Sequence, residues 1–249
     1  GTSYSVGGVY EIFENFNIYA SYNKNYKPNR GDTVRAGDPG DFNFEDLEER
    51  GLLDDESGIG IDFGFKFDLY NGKLNGQISY FIIEREGIAR LDWERSNQRM
   101  LDEGWTDDSF RVQYWSNGGL ERARGLEFEI MAAPINPLQI IFQYTHYFEA
   151  GVVNDPSLED FQAVRIIDNG LPNVSKDRLA IWGNYEFLES RLEGLSIGAG
   201  VRYASEARPM VYSWTTEIVN PSYWVLMPKL DTNGRPDSAS LVLSRISKT

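Results

Sequence analysis

The sequence predicts an all-β chain, an antiparallel transmembrane β-barrel, and three observations lead there. Apolar residues recur with a period of two rather than 3.6. The alternating segments are joined by connections that are short and long by turns. The polar face of these segments carries charges well inside the run, among them Asp62, Lys66, Glu127 and Glu129, which a packed soluble core would not accept unpaired.

The elements follow in chain order. Tyr4–Phe13 sets Tyr4, Val6, Tyr10 and Ile12 in register, and Asn17–Tyr26 does the same with Ile18, Ala20, Tyr22 and Tyr26. The clearest strand runs from Gly58 to Leu69. Ile59, Ile61, Phe63, Phe65, Phe67 and Leu69 lie on one face, and Gly58, Gly60, Asp62, Gly64, Lys66 and Asp68 on the other. A helix would scatter these phenylalanines, whereas successive strand side chains point to opposite faces. Leu74–Arg85 sets Leu74, Ile78, Tyr80 and Ile82 against Asn75, Gln77 and Ser79. Leu120–Met131 sets Leu126, Phe128 and Ile130 against Glu127 and Glu129, and Leu138–Glu149 sets Leu138, Ile140, Phe142 and Tyr144 against Gln139, Gln143 and Thr145. Arg178–Phe187 and Leu195–Ala204 alternate in the same way. A weaker ninth segment lies near Tyr223–Leu226, after which the alternation is expected to fail.

Short turns are expected at Glu14-Asn15, Asn71-Gly72, Pro134–Pro137 and around Glu189–Glu193. Asn-Gly is a strong hairpin signal because both central residues must reach positive φ. Long polar connections span Lys27–Ser57, Glu86–Gly119, Ala150–Ser175 and about Ser205–Ser222. Between antiparallel neighbours, this puts every tight turn at one end of the sheet and every long connection at the other. Outer-membrane barrels have that asymmetry, with apolar residues toward lipid, a polar lumen and aromatic girdles at both interfaces. Tyr22, Tyr26, Phe13, Phe16, Tyr185 and Phe187 fall near strand ends, as girdles would. A soluble β-sandwich or lipocalin-like barrel is the alternative, with the apolar face turned inward.

Composition narrows the function. The 249 residues hold 24 Lys+Arg and 38 Asp+Glu, a formal net charge of −14. Nucleic-acid binding needs a basic face to displace counterions, so no nucleic-acid partner is expected. There is no Cys and a single His, His146, which excludes disulfides, thiolate metal sites and multi-His centres. His146 shares parity with lipid-facing residues and is not placed as a base. No nucleophile context or Gly-rich phosphate loop is present, so the chain is not expected to be an enzyme. The acidic runs Asp54-Asp55-Glu56 and Asp107-Asp108 lack the spacing of a calcium loop. No metal site or cofactor is expected.

Five stretches carry a resemblance. They are SYSVGGVYEIFENFNIYASYNKNYKPN (Ser3–Asn29), ESGIGIDFGFKFDLYNGKLNGQISYFIIER (Glu56–Arg85), ERARGLEFEI (Glu121–Ile130), LPNVSKDRLAIWGNYEF (Leu171–Phe187) and LSIGAGVRYASEARP (Leu195–Pro209). In order and spacing they resemble the C-terminal barrel half of TonB-dependent outer-membrane receptors, particularly the siderophore-receptor branch. The resemblance implies about 22 strands around a plugged lumen. About eight or nine are present here, so residues 1–226 read as a partial barrel. The plug domain is absent, and 227–249 read as an irregular tail, truncated or frame-shifted.

In such receptors, external loops and lumen-facing residues near the external mouth capture ligand. Extrapolated strand parity puts Asn23, Asn25, Asp62, Arg85, Tyr147 and Arg202 there. Arg85, Arg202 and Tyr147 would meet an anionic or catecholate ferric chelate; the alternative is pairing with neighbouring carboxylates. Trp93, Trp105, Tyr114, Trp115 and Trp214 would form a capture surface, or pack within their own loops. Arg122 and Arg124 share parity with lipid-facing Leu126 but lie toward the long-loop end. They would meet lipopolysaccharide phosphates, or form exposed ion pairs with Glu121 or Glu127. The resemblance thus implies a bacterial outer-membrane active transport receptor, most simply for a ferric siderophore or similar scarce solute. Its partners would be outer-membrane lipid, lipopolysaccharide and, through the missing plug, the TonB complex. A small complete barrel with a structural or adhesive role, a passive porin and a soluble β-sandwich stand as alternatives.

Overall fold

Backbone pairing along ten strands organises the chain. The structure is a computed structural model that describes residues 1–29, 34–36, 51–102, 112–154, 170–189, 191–208 and 219–232. The strands are β1 (Tyr4–Phe13), β2 (Phe16–Lys27), β3 (Val34–Ala36), β4 (Glu56–Leu69), β5 (Leu74–Asp92), β6 (Val112–Ile135), β7 (Leu138–Asn154), β8 (Asp177–Glu186), β9 (Leu195–Ala204) and β10 (Tyr223–Thr232). One helix, α1 (Trp93–Asp102), lies between β5 and β6. Nine strands form a single meander in the order β1-β2-β4-β5-β6-β7-β8-β9-β10, each antiparallel to the next, while β3 pairs with the start of β6. Among the described residues, β1 and β10 each have one neighbour, so the sheet is not closed.

The register carries the period-two pattern across the whole sheet. Ile18, Phe65, Ile78, Phe128, Tyr144, Leu179, Tyr203 and Trp224 stand side by side on one face. One residue along each strand, Tyr19, Gly64, Ser79, Glu127, Thr145, Arg178, Ala204 and Tyr223 stand side by side on the other. We call the first face outer and the second inner. Cross-strand ring pairs tie the outer face together: Phe63 to Tyr80 at 5.3 Å, Phe128 to Tyr144 at 6.0 Å and Tyr203 to Trp224 at 4.6 Å. Each such pair contributes on the order of 0.5–1 kcal/mol.

The outer face has no protein partner among the described residues. Phe63 is 48% exposed and Leu226 59%. The buried apolar residues are only Leu53, Ile88, Tyr114, Val152 and Ala204, and none lies in the apolar rows of the outer face. A soluble sandwich would bury those rows against a second layer. A single layer with a bare apolar face suits hydrocarbon instead. No described helix is long and apolar enough to cross a membrane, which leaves crossing to the strands. On the inner face the Trp182 ring lies over Gly198 and Gly200; a Cβ at either would collide with it. The Gly-X-Gly pattern of β9 makes room for that ring.

Four expectations change. Residues 86–119 are not a loop: β5 and β6 run on as a paired hairpin to Asp92 and from Val112, capped by α1. Register shifts at Glu86/Ile88 and Ile88/Ala89 break the alternation there, which hid the strands. β7 extends past Glu149 to Asn154. The tight turn at Asn71 is a four-residue loop, with Tyr70, Asn71 and Gly72 all at positive φ between the paired residues Leu69 and Leu74. β10 does not end at Leu226. It continues to Thr232 through Pro228, because an edge strand tolerates Pro where a central one does not. Residues 233–249, the rest of the expected tail, lie outside the described residues.

The two faces differ in what they tolerate. Phe65→Arg, in mid-strand on the outer face, is expected to lower bilayer folding stability by about 2–4 kcal/mol. Lys66→Glu, its neighbour on the inner face, is expected to cost much less. Urea-dependent folding into lipid vesicles measures both, and equal losses would reject the sidedness.

Candidate functional site

The chemistry gathers on the inner face and at the rim where the long connections leave. One cluster is a ladder of ions across β2, β4, β5 and β6. Glu56, 7% exposed, accepts from Arg85 Nη2 at 2.6 Å and Nε at 3.1 Å, and from Lys27 Nζ at 3.2 Å. Glu121 pairs with Arg85 Nη1 at 3.5 Å and with Arg90 Nη2 at 2.9 Å. Taking the Glu56 carboxylate out of water is costly, and its two cations offset that cost. Arg85 is therefore held by neighbouring carboxylates, the second of the two roles its sequence position allowed.

A second cluster lies four to six strands from β2, on the inner face of β7, β8 and β9. A concavity of about 720 Å³ is lined there by Glu127, Glu129, Thr145, Arg178 and Arg202, with Asn173 and Asn220 from the connections above it. Arg178 is the second residue of β8 and Arg202 lies two residues before the end of β9, both at the long-connection end. Gln77 donates to Glu129 at 2.8 Å and Gln143 at 3.4 Å, so amides hold this carboxylate. Neither Arg178 nor Arg202 has an ion-pair partner among the described residues. The Arg178 guanidinium sits 6.0 Å from the Tyr147 ring, which meets Phe81 edge-on at 5.5 Å. Two guanidiniums on the wall of one concavity, one of them over an aromatic ring, can meet a flat or multidentate anion.

The other candidate residues scatter. Asn23 and Asn25 share the inner face of β2, hydrogen-bonded to each other at 3.3 Å, far along the sheet from Arg202. Asp62 lies between them and the second cluster, one carboxylate oxygen buried with no hydrogen-bond partner among the described residues. Tyr114 is 2% exposed, beneath the Arg95 guanidinium at 4.2 Å, and its amide donates to Ser96 Oγ at 3.0 Å. It is the interior of the β5–β6 hairpin rather than part of a capture surface. Trp115 is half-buried in the same hairpin, and Trp93 is the first residue of α1. Trp105 and Trp214 lie outside the described residues.

Arg122 and Arg124 are on the outer face, as parity predicted, but their partners are different ones. Arg122 Nε donates to Glu84 at 2.6 Å and Arg124 Nε pairs with Glu149 at 2.8 Å, where Glu121 or Glu127 had been expected. Glu121 and Glu127 point to the inner face, and a bulge between Arg124 and Gly125 brings Glu149 opposite Arg124. Beside this belt His146 Nδ1 lies 2.6 Å from Asp177, which also accepts from Tyr144 at 2.7 Å. Arg178 was missed although its parity, opposite Leu179 and Ile181, was available. The outer-face ion pairs depend on cross-strand register, which one sequence does not carry.

An unclosed antiparallel meander with short turns at one end, an apolar outer face, a charged inner face and a polar belt above the apolar band is the wall of an outer-membrane β-barrel. Residues 1–231 match the model of the TonB dependent receptor-like, beta-barrel family, and the chain belongs to that family. It is 25% identical over 201 residues to the metal-pseudopaline receptor CntO of Pseudomonas aeruginosa, covering 81% of this chain and 23% of that protein. It is 24% identical over 208 residues to the ferripyoverdine receptor of Pseudomonas aeruginosa, covering 84% and 21%. The solved structure of that outer-membrane receptor bound to ferripyoverdine matches 92% of this chain and 26% of its own, with a TM-score of 0.63 and 22% identity. The alcaligin receptor FauA from Bordetella pertussis matches 98% and 34%, with a TM-score of 0.57 and 16% identity. The chain spans about a quarter of the length of the curated relatives it matches.

The ion ladder makes a measurable claim. Glu56→Ala removes the carboxylate shared by Arg85 and Lys27, leaves Arg85 only Glu121, and is expected to cost about 1 kcal/mol because both cations reach water. The heat needed to convert the folded band to the unfolded one on a gel reads this; an unchanged transition would mean the ladder is solvated.

Proposed function

We propose that this chain is part of the wall of a TonB-dependent receptor that takes a ferric siderophore across the bacterial outer membrane. Arg178, Arg202 and Tyr147 contact the anionic chelate near the external mouth. The observation that carries this reading is the pair of arginines on one concavity without ion-pair partners among the described residues, with Arg178 over the Tyr147 ring that meets Phe81 edge-on. The relatives' names, receptors for metal-pseudopaline and ferripyoverdine, support a chelated metal as cargo. An anionic chelate loses water at the concavity and regains charge-assisted hydrogen bonds from the two guanidiniums. Its aromatic groups stack on the rings. Uptake then follows the family's scheme, in which the TonB complex acts through a plug domain; nothing in this reading calls for catalysis. Asn23, Asn25 and Asp62 line the path away from the mouth, and Arg85 shapes the rim through its carboxylates.

The outer face serves a separate partner. Arg122 and Arg124, with Lys24 and the rings of Tyr22 and Tyr26, face the polar layer above the apolar band and contact lipopolysaccharide. Because Glu84 and Glu149 neutralise the arginines, this contact is weaker than that of free cations.

Charge reversal separates the two faces. Arg202→Glu is expected to reduce uptake of the chelate at least tenfold, as a charge-assisted bond becomes repulsion, while Arg124→Glu leaves uptake near its original level. Uptake of radiolabelled iron as the ferric chelate checks this, and equal effects would reject the assignment of faces. Expression is expected to rise on iron starvation, read as transcript level; induction by a sugar or a vitamin instead would remove the siderophore reading.

A further inference from the structure

One side chain joins two external elements that the sheet itself keeps apart. Asn117, in the projecting part of β6, accepts from the Asp54 amide at 2.8 Å through Oδ1. Its Nδ2 donates to the Asp54 carbonyl at 2.9 Å and to the Gly87 carbonyl at 2.8 Å. The carboxamide thus pairs with both backbone groups of Asp54, as a neighbouring strand would. β4 and β6 are not neighbours; β5 lies between them. The reach is possible because β5 carries Gly87 at the crossing point, at φ +70. A Cβ there would meet the Asp55 carbonyl at 3.2 Å and stand 3.9 Å from Asn117 Nδ2. Leu53 and Ile88, each 6% exposed, are buried on either side of the crossing in sequence.

The same connection is held at two further points. At its base Lys27 pairs with Glu56 at 3.2 Å. Near its start, Val34–Ala36 pairs with Val112–Tyr114 of β6. The upper part of β6 therefore holds two described stretches of the segment that links β2 to β4, one near its start and one at its end.

We infer that Asn117 is a positioning residue: it clips the stretch around Asp54 to the β5–β6 hairpin across Gly87, so that this stretch moves with the paired part of the hairpin. Its place in ligand capture rests on the receptor reading, but the clip is tested without any ligand. Because the clip already orders this stretch, less entropy is lost on binding there.

The test is amide hydrogen exchange on the receptor in outer-membrane vesicles, without ligand. Asn117→Ala is expected to speed exchange of the Asp54 amide and its neighbours by about tenfold, leaving β7–β9 amides unchanged. Asn117→Asp keeps the volume and the bond from the Asp54 amide but loses both donated bonds, and should give an intermediate increase. It carries the test alone should the alanine variant fail to assemble. Unchanged exchange at Asp54, or a uniform increase across the barrel, would overturn the inference. Loss of chelate uptake with unchanged exchange would count against the clip and leave the receptor reading standing.

Discussion

Hydrocarbon offers no partner to a backbone amide or carbonyl, and each group left unpaired there costs several kcal/mol. Everything else in this sheet follows from that requirement. The strands must pair continuously, so the nine-strand meander runs through neighbours without a crossover. Continuous pairing fixes the register, and the register decides which side chains face out. Once Ile18, Phe65 and Phe128 share a row with Trp224, their neighbours one residue along must face in, whatever their charge. Among the described residues β1 and β10 meet the requirement on one side only.

Charge is sorted by this geometry into three zones with different degrees of neutralisation. The inner ladder is closely paired around a buried Glu56, with Glu121 half-buried and the cations Arg85 and Lys27 reaching toward water. The outer belt of Glu84, Arg122, Arg124 and Glu149 is paired but wetter, with side chains about a quarter to a half exposed. The concavity on β7–β9 holds two guanidiniums that no described carboxylate meets. In the first two zones folding has already matched the charges; in the third the two guanidiniums are left without a described ion-pair partner. The net charge of −14 describes none of these zones by itself.

The strands and the sidedness were legible in the sequence because one physical period runs through both. Gly58 to Leu69 alternates without a fault, and β4 follows it almost residue for residue. The projecting hairpin was not legible, because bulges around Gly87 and Gly118 shift the phase and the segment reads as polar loop. Tyr114 looked like a surface aromatic for the same reason. The alternation was expected to fail after Leu226, yet Met227 to Thr232 stay in register with β9. Of the site, parity put Tyr147 and Arg202 on the correct face, and the same rule applied to β8 would have added Arg178. Which carboxylate meets which arginine depends on cross-strand neighbours far apart in the chain: Arg85 and Glu56 are separated by 29 residues, Arg122 and Glu84 by 38.

β6 is 24 residues long, a contour of about 80 Å. A tilted strand needs only about 9–11 residues to cross the membrane, so more than half of β6 stands beyond it. The portion outside is still paired to β5, through two bulges near Gly87, in the ladder that begins inside the bilayer. It works as a mast stepped into the hull rather than as rigging tied to the deck. A sideways load at its tip is carried down to Glu121, Glu127 and the inner wall by the hydrogen bonds that make the barrel. Anything that first touches the cell at that tip therefore pushes directly on the wall that faces the lumen.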